Sequence, residues 1–328
     1  MSEFSQQIES FKTDYAKIKQ TISTVVVGNE NIIDDVLHCL FAGGHILLEG
    51  VPGIGKTLLV KTLSDVLNLE FSRIQFTPDL MPADITGTEI LTTTPTGAKE
   101  FRFEPGPIFA NLVLADEINR ATPKTQSAIL EAMQEATVTS AGISHKLPAP
   151  LMVLATQNPI EMEGTYPLPE AQLDRFMFKV LIDPPSAENL AEILNRTTGN
   201  TTISPTSVLD SEKICSYQSL VREVQVSPNV TNYIATLINA THPQSPIAPE
   251  IVKNSVQFGS SPRGAQAIML ASKVRALRNS RAHVTFEDVY QTAPAALRHR
   301  ILLNFEAQAK LIAPDTIIAD LLRAIKPA

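Results

Sequence analysis

The sequence is poor in cysteine, in long apolar runs and in positive charge, and each shortage removes a class of protein. Cys39 and Cys215 are the only cysteines among 328 residues. They lie far apart in apolar-periodic surroundings, so both read as buried thiols and neither a disulfide nor a metal site is expected. No run of about 18 apolar residues occurs, so no membrane-spanning helix is expected. The opening Met1-Ser2-Glu3-Phe4-Ser5 lacks the basic-then-apolar pattern of an export signal, which points to the cytoplasm. A formal charge of −7 argues against a surface dedicated to nucleic acid. With 44% apolar and 19% charged residues the chain has the composition of a globular protein, and it is long enough for two domains.

What the sequence does carry is Gly50-Val51-Pro52-Gly53-Ile54-Gly55-Lys56-Thr57. The string follows the short apolar run His45-Ile46-Leu47-Leu48 and opens a stretch with helical spacing, Leu58, Leu59, Leu63, Val66 and Leu67. Strand, glycine-rich turn and helix form the setting in which GxxxxGK[ST] cradles phosphate. The glycines let successive N–H groups point inward, and the helix N-terminus adds its positive dipole. Lys56 is then expected to reach the β- and γ-phosphates of a nucleoside triphosphate, and the Thr57 hydroxyl to bind Mg²⁺.

Around this motif the pattern is α/β. Helical spacing covers 4–23 and 30–41, and short apolar runs at 71–76, 112–115 and 151–155 alternate with helical patterns at 57–68 and 122–135. That order implies a mostly parallel sheet covered on both faces. Beyond Asp183-Pro184-Pro185-Ser186 only helical patterns follow, at about 187–197, 210–223, 228–241, 262–279, 285–297 and 316–325. The expected organisation is therefore an α/β core over 1–185 and a smaller all-helical domain over 186–328. Two excursions interrupt the core: 86–107, rich in Thr, Pro and Gly, and 136–149, which reads as a β-hairpin about Ser140-Ala141-Gly142. Long excursions in a nucleotide motor are often the parts that touch a client.

Three further residues fit phosphoryl chemistry. Asp116 and Glu117 end the apolar run Leu112-Val113-Leu114-Ala115, which suits Asp116 to the Mg²⁺ shell and Glu117 to orienting the attacking water. Asn158 follows the next apolar strand at its C-terminal end, the edge of an open α/β sheet where ligands bind. Its amide can hydrogen-bond both the γ-phosphate and the lytic water.

Together with Val27-Gly28 and the GVPGIGKT loop, several longer strings carry a resemblance. They are Phe101-Arg102-Phe103-Glu104-Pro105-Gly106-Pro107-Ile108-Phe109, Ala115-Asp116-Glu117-Ile118-Asn119-Arg120, the helix from Gln126 to Glu135, Ala155-Thr156-Gln157-Asn158-Pro159, the segment from Glu163 to Phe176, and Ser261-Pro262-Arg263-Gly264. In these the chain resembles the MoxR family of AAA+ ATPases from about residue 20 onward. The resemblance implies a P-loop AAA+ domain with a parallel five-stranded sheet flanked by helices, then an all-helical lid. It implies ATP and Mg²⁺ as cofactors, with Val27, Gly28, Gly50, Pro52, Gly53, Ile54, Gly55, Lys56, Thr57 and Leu58 around the nucleotide. Asn29 stands where relatives usually carry Gln. Arg175 matches the arginine finger that a neighbouring subunit projects onto the γ-phosphate, and Arg263 the sensor-2 arginine. Asn119 and Arg120 match positions that relay the γ-phosphate state. Segment 86–107 corresponds to the family's helix-2 insert and 136–149 to its pre-sensor-1 hairpin. His299, within Leu297-Arg298-His299-Arg300, is expected to be a packing or surface residue and not a ligand.

The resemblance also implies a hexameric ring that remodels or matures a client protein complex, in relatives often with a partner bearing a von Willebrand A domain. Two alternatives remain at this level: a nucleic-acid motor of the same clade and a nucleotide-gated scaffold with little turnover. Segment 136–149 offers Lys146 and His145 but neither an aromatic nor an arginine cluster, which disfavours the first. The presence of Glu117, Asn158 and Arg175 together disfavours the second.

Overall fold

The computed structural model describes residues 3–93, 95, 98–159, 164–199 and 205–327. Thr94, Thr96 and Gly97 of the first excursion, and Glu163 of the string ending at Phe176, lie outside the described residues.

The chain starts with α1 (Glu3–Val25) and α2 (Glu30–Ala42), then β1 (Ile46–Glu49), α3 (Lys56–Leu67) and β2 (Phe71–Gln75). A short α4 (Pro82–Thr86) leads into the hairpin β3 (Gly87–Thr93) and β4 (Lys99–Pro105), followed by β5 (Leu112–Asp116) and α5 (Pro123–Glu135). A second hairpin, β6 (Thr137–Ser140) and β7 (Ile143–Lys146), precedes β8 (Met152–Gln157), α6 (Glu170–Leu173) and β9 (Phe178–Leu181). Both excursions are thus antiparallel hairpins, in register from Gly87↔Pro105 to Thr93↔Lys99 and from Thr137↔Lys146 to Ser140↔Ile143.

β1, β2, β5, β8 and β9 form one parallel five-stranded sheet in the order β2-β5-β8-β1-β9. The C-terminal ends of β1, β5 and β8 are therefore side by side, which is where the phosphate loop, the acidic pair and Asn158 leave the sheet. β5 is buried along its whole length, as a central parallel strand covered on both faces must be. Alternate residues feed two cores. Ile46, Leu48, Leu112, Leu114, Met152, Leu154, Phe178 and Val180 join α1, α2 and α3 on one face. Leu47, Val113, Ala115, Val153 and Ala155 meet Ile129, Leu130 and Met133 of α5 on the other. α1 buries Ile8, Phe11, Tyr15, Ile18 and Ile22, a stripe at three- and four-residue spacing.

After β9 come α7 (Ala187–Thr197), α8 (Ser211–Glu223), α9 (Pro228–Asn239), α10 (Glu250–Ser255), α11 (Pro262–Arg278), α12 (Phe286–Leu297), α13 (Phe305–Ala309) and α14 (Pro314–Ala324). α10 and α13 are too short to show a helical period in the sequence. A two-stranded ribbon of β10 (Val256–Phe258) and β11 (Leu302–Leu303) interrupts the otherwise helical run. The helical part shares the apolar core of the first sheet face, so α1 and α2 pack against both. Phe11 meets Phe41 of α2 and Tyr217 of α8 edge-on, each at 5.0 Å between ring centroids, an arrangement that adds about 1 kcal/mol per pair beyond burial. Cys39 is buried, whereas Cys215, on the outer side of α8, is only half-buried, which corrects the expectation of two buried thiols. No helix among the described residues is long and apolar enough to cross a membrane.

Candidate nucleotide site

The loop from Gly50 to Gly55 has the local geometry that its glycines permit. Gly53 and Gly55 have φ of +80° and +86°, which L side chains rarely adopt, so their role is conformational. Gly50 is needed for closeness: a Cβ there would lie 2.6 Å from Ile54 Cδ1 and 2.8 Å from the Ile182 carbonyl. Lys56 begins α3 and donates from Nζ to the Gly50 carbonyl at 2.7 Å, curling the ammonium back over the loop. Desolvation lowers the Lys56 pKa from its ordinary value, and Asp116 and Glu117 act in the opposite direction.

Two adjoining cavities meet at Gly53 and Gly55. One, of about 380 Å³, is lined by Pro52, Lys56, Thr57, Arg73, Gln75, Asp116, Glu117 and Asn158. The other, of about 290 Å³, is mostly apolar, with Val25, Val26, Val27, Asn29, Ile54, Leu58, Leu190 and Ile193 in its walls. Arg196 of α7 closes that second cavity, donating Nη1 to the carbonyls of Ser23 and Thr24 at the end of α1. Gly28 stands behind this wall against Asn189, whose Nδ2 would be 2.6 Å from an added Cβ. A polar, carboxylate-bearing cavity beside an apolar one fits a triphosphate joined to a flat base.

The acidic pair is held from three sides. Asp116 is 9% exposed; its Oδ1 accepts from Thr156 Oγ1 at 2.7 Å, and its Oδ2 accepts from Arg73 Nη2 at 2.7 Å and Nε at 3.2 Å. The Glu117 N–H donates to Thr156 Oγ1 at 2.8 Å. Glu117 has φ +57°, a left-handed conformation that costs a non-glycine residue about 1 kcal/mol or more and turns the chain sharply off β5. Its Oε2 accepts from Gln75 Nε2 and from Arg120 Nη1, each at 2.8 Å. Asn119 contributes its backbone, accepting from the Tyr166 N–H at 2.7 Å.

Sequence reasoning missed Arg73, Gln75 and Thr156. The first two sit inside what reads as an apolar run, and only the pairing of β2 with β5 brings them beside the acidic pair.

Arg175 and Arg263 are elsewhere. Both line a third cavity, of about 250 Å³, with Asp174, Arg222, Gln266 and Arg300. Half-buried Arg175 donates Nη1 to the Leu130 carbonyl at 2.8 Å. Its neighbour Asp174 pairs instead with Arg300 Nε at 2.8 Å, accepts from Ser261 Oγ at 2.8 and 2.9 Å, and lies 3.6 Å from Arg263 Nη1. Arg300 also donates to the carbonyls of Asp174, Phe176, Met177 and Ala296, so the chain after α12 is locked onto the segment that carries Arg175. His299 is buried and its Nε2 is 3.0 Å from the Phe176 carbonyl, so of the packing and surface alternatives the structure has packing. Lys56, Asp116, Glu117 and Asn158 thus share one cavity, and Arg175 and Arg263 share another.

The strand order, the loop at the end of β1, the acidic pair on β5 and the helical lid define an AAA+ P-loop fold. Residues 45–178 match the family described as "ATPase family associated with various cellular activities (AAA)", and residues 248–321 match the AAA lid domain. The chain is 42% identical to Chaperone MoxR1 of Mycobacterium tuberculosis, over 93% of this chain and 80% of that protein. It is 30% identical to Protein MoxR of Methylorubrum extorquens, over 93% and 92% of the two chains. A crystal structure of a protein described as a candidate ATPase, from Cytophaga hutchinsonii, superposes with a TM-score of 0.92 at 38% identity, covering 98% of this chain and 97% of that one. The chain belongs to the MoxR family of AAA+ ATPases.

Proposed function

We propose that this chain hydrolyses Mg²⁺-ATP at the seam between adjacent copies in a ring, and that the cycle drives remodelling of a client protein complex. The observation that carries the reading is the split of the reactive residues between two cavities. Lys56, Thr57, Asp116, Glu117 and Asn158 belong to one, and the guanidinium groups of Arg175 and Arg263 to another.

In this reading the base sits in the apolar cavity against Val27, Ile54 and Leu58, with Gly28 shaping its wall. The triphosphate lies along the N–H groups of the loop from Gly50 through Pro52 to Thr57, and Lys56 leaves the Gly50 carbonyl for the phosphates. The oxygens available at the phosphate cavity, the Thr57 hydroxyl and the Asp116 carboxylate, are hard donors that suit Mg²⁺. Such an ion takes one or two protein ligands and completes its shell with phosphate and water. When bound, Mg²⁺ neutralises charge on the phosphate oxygens. Glu117 orients and polarises the attacking water, and Asn158 holds that water and the γ-phosphate. Arg175 reaches the γ-phosphate held by the next copy, with Arg263 beside it. Arg120, bonded to Glu117, and Asn119 relay the phosphate state outward.

The core over 1–185 carries the chemistry and the lid over 186–328 follows the nucleotide. The hairpins β3–β4 and β6–β7 offer client contacts: Leu91, Phe101 and Ile143 are exposed, and His145 is stacked on Phe103 at 4.0 Å. A relative named a chaperone supports a client of this kind, and a von Willebrand A domain protein is the partner to seek. The test is hydrolysis per chain measured across a dilution series alongside particle mass. Activity should rise with concentration as rings form; flat specific activity from a monomer would end the proposal.

A further inference from the structure

Asp116 presents its two carboxylate oxygens to different neighbours. Oδ1 faces inward to Thr156 Oγ1 at 2.7 Å, while Oδ2 is claimed by Arg73 through Nη2 at 2.7 Å and Nε at 3.2 Å. The register explains the reach: Gln75 of β2 lies opposite Asp116 of β5, so Arg73, two residues earlier, extends along the strand to the carboxylate. Gln75 Oε1 accepts from Arg73 Nη2 at 2.7 Å and anchors the guanidinium from below. Arg73 is not buried in this pair. Its side chain is 48% exposed and lines the phosphate cavity with Lys56 and Thr57.

We propose that Arg73 is a resident counter-ion for Asp116, a positioning residue that yields this carboxylate as Mg²⁺ and nucleotide enter. The inference rests on the reading of Asp116 as the carboxylate of the metal shell. Two cations drawn to one carboxylate beside the same cavity repel each other, so the guanidinium raises the Mg²⁺ concentration needed to engage the site. Before nucleotide arrives, Arg73 offsets the charge of Asp116, which otherwise repels an incoming triphosphate. Released, and still tethered by Gln75, it remains at the wall of the cavity, where a guanidinium is suited to phosphate oxygens.

The experiment measures affinity for a fluorescent ATP analogue as free Mg²⁺ is titrated, using wild type, Arg73→Met and Arg73→Lys, with thermal melting to establish folding. Arg73→Met should reach half-saturation at roughly two- to fivefold lower Mg²⁺, the range a half-exposed ion pair commands. Arg73→Lys keeps the charge but loses the forked contact, so its shift should be smaller and in the same direction. It carries the test if the methionine variant does not fold. A Mg²⁺ requirement unchanged or raised in the variants, with wild type remaining Mg²⁺-dependent, overturns the exchange while leaving the reading of Asp116 standing. Nucleotide affinity in wild type that ignores Mg²⁺ overturns both.

Discussion

The phosphate cavity and the arginine cavity are built on opposite electrostatic plans. In the first, Lys56 and Arg73 face Asp116 and Glu117, so cations and carboxylates match and each carboxylate has donors within 3.2 Å. In the second, Arg175, Arg222, Arg263 and Arg300 line a space whose one lining carboxylate is Asp174. A balanced cavity holds a ligand that brings its own counter-ion, as a magnesium-bound triphosphate does. An unbalanced one attracts an anion from outside the chain. The contrast favours a division of labour in which one copy binds the nucleotide and the next supplies the charge that fires it.

Mixing two defective variants attacks that division most directly and should give the largest effect. Arg175→Ala removes a guanidinium that donates to the Leu130 carbonyl, so the fold should survive while turnover falls about a thousandfold or more. Glu117→Gln should bind nucleotide and turn over comparably little. Neither variant works alone, but equal amounts mixed in a ring should recover about a quarter of wild-type hydrolysis, because random neighbours pair an intact acid with an intact finger in that proportion of seams. Mixtures no better than the separate variants would mean that Arg175 serves its own chain.

The same contrast marks what the sequence reveals. The phosphate loop, Asp116–Glu117 and Asn158 are local: each follows an apolar strand, and a parallel sheet brings such strand ends together whatever the details. Arg73 and Gln75 depend on a partner about 43 residues away, and nothing in Phe71-Ser72-Arg73-Ile74-Gln75-Phe76 announces that alternate positions of the edge strand turn into the site. β9 is similarly obscured. Four residues including the charged Lys179, which pairs with Glu49 at 2.7 Å, make no apolar run, yet the strand completes the sheet beside β1. The lock of Arg300 on Asp174 spans 126 residues and looks in the sequence like one basic residue in a basic string.

That lock offers the next test, on stability instead of rate. Arg300 is 6% exposed; burial lowers its pKa, and Asp174 acts to raise it again. Asp174→Asn keeps the size and hydrogen-bonding oxygen but leaves the guanidinium without its counter-charge, which should cost about 3 kcal/mol and lower the melting temperature by several degrees. Arg73→Met in the other cavity removes a half-exposed pair and should cost under about 1 kcal/mol. Equal losses for the two would dissolve the distinction between a structural ion pair and an exchangeable one.

A smaller effect than that of the lock should come from a carboxylate in the same shared core whose charge is not held in this way. Asp35 of α2 is pushed up to about 7, mainly by desolvation, with Asp34 raising it further and Arg298 and Arg275 of the lid pulling it down. The fold therefore favours its protonated form, and between the ordinary carboxylate range and pH 7 the folded chain binds more protons than the unfolded one. Stability is highest below about pH 4 as far as this group is concerned, and declines as pH rises through 7. Asp35→Asn removes that decline, so it should stabilise more at pH 8 than at pH 5, by about 1–2 kcal/mol, read from melting curves at the two pH values. A variant equally stabilising at both would show that Asp35 is ionised throughout. The arginines of the lid would then hold it as firmly as Arg300 holds Asp174, and the shared core would carry two locks instead of one.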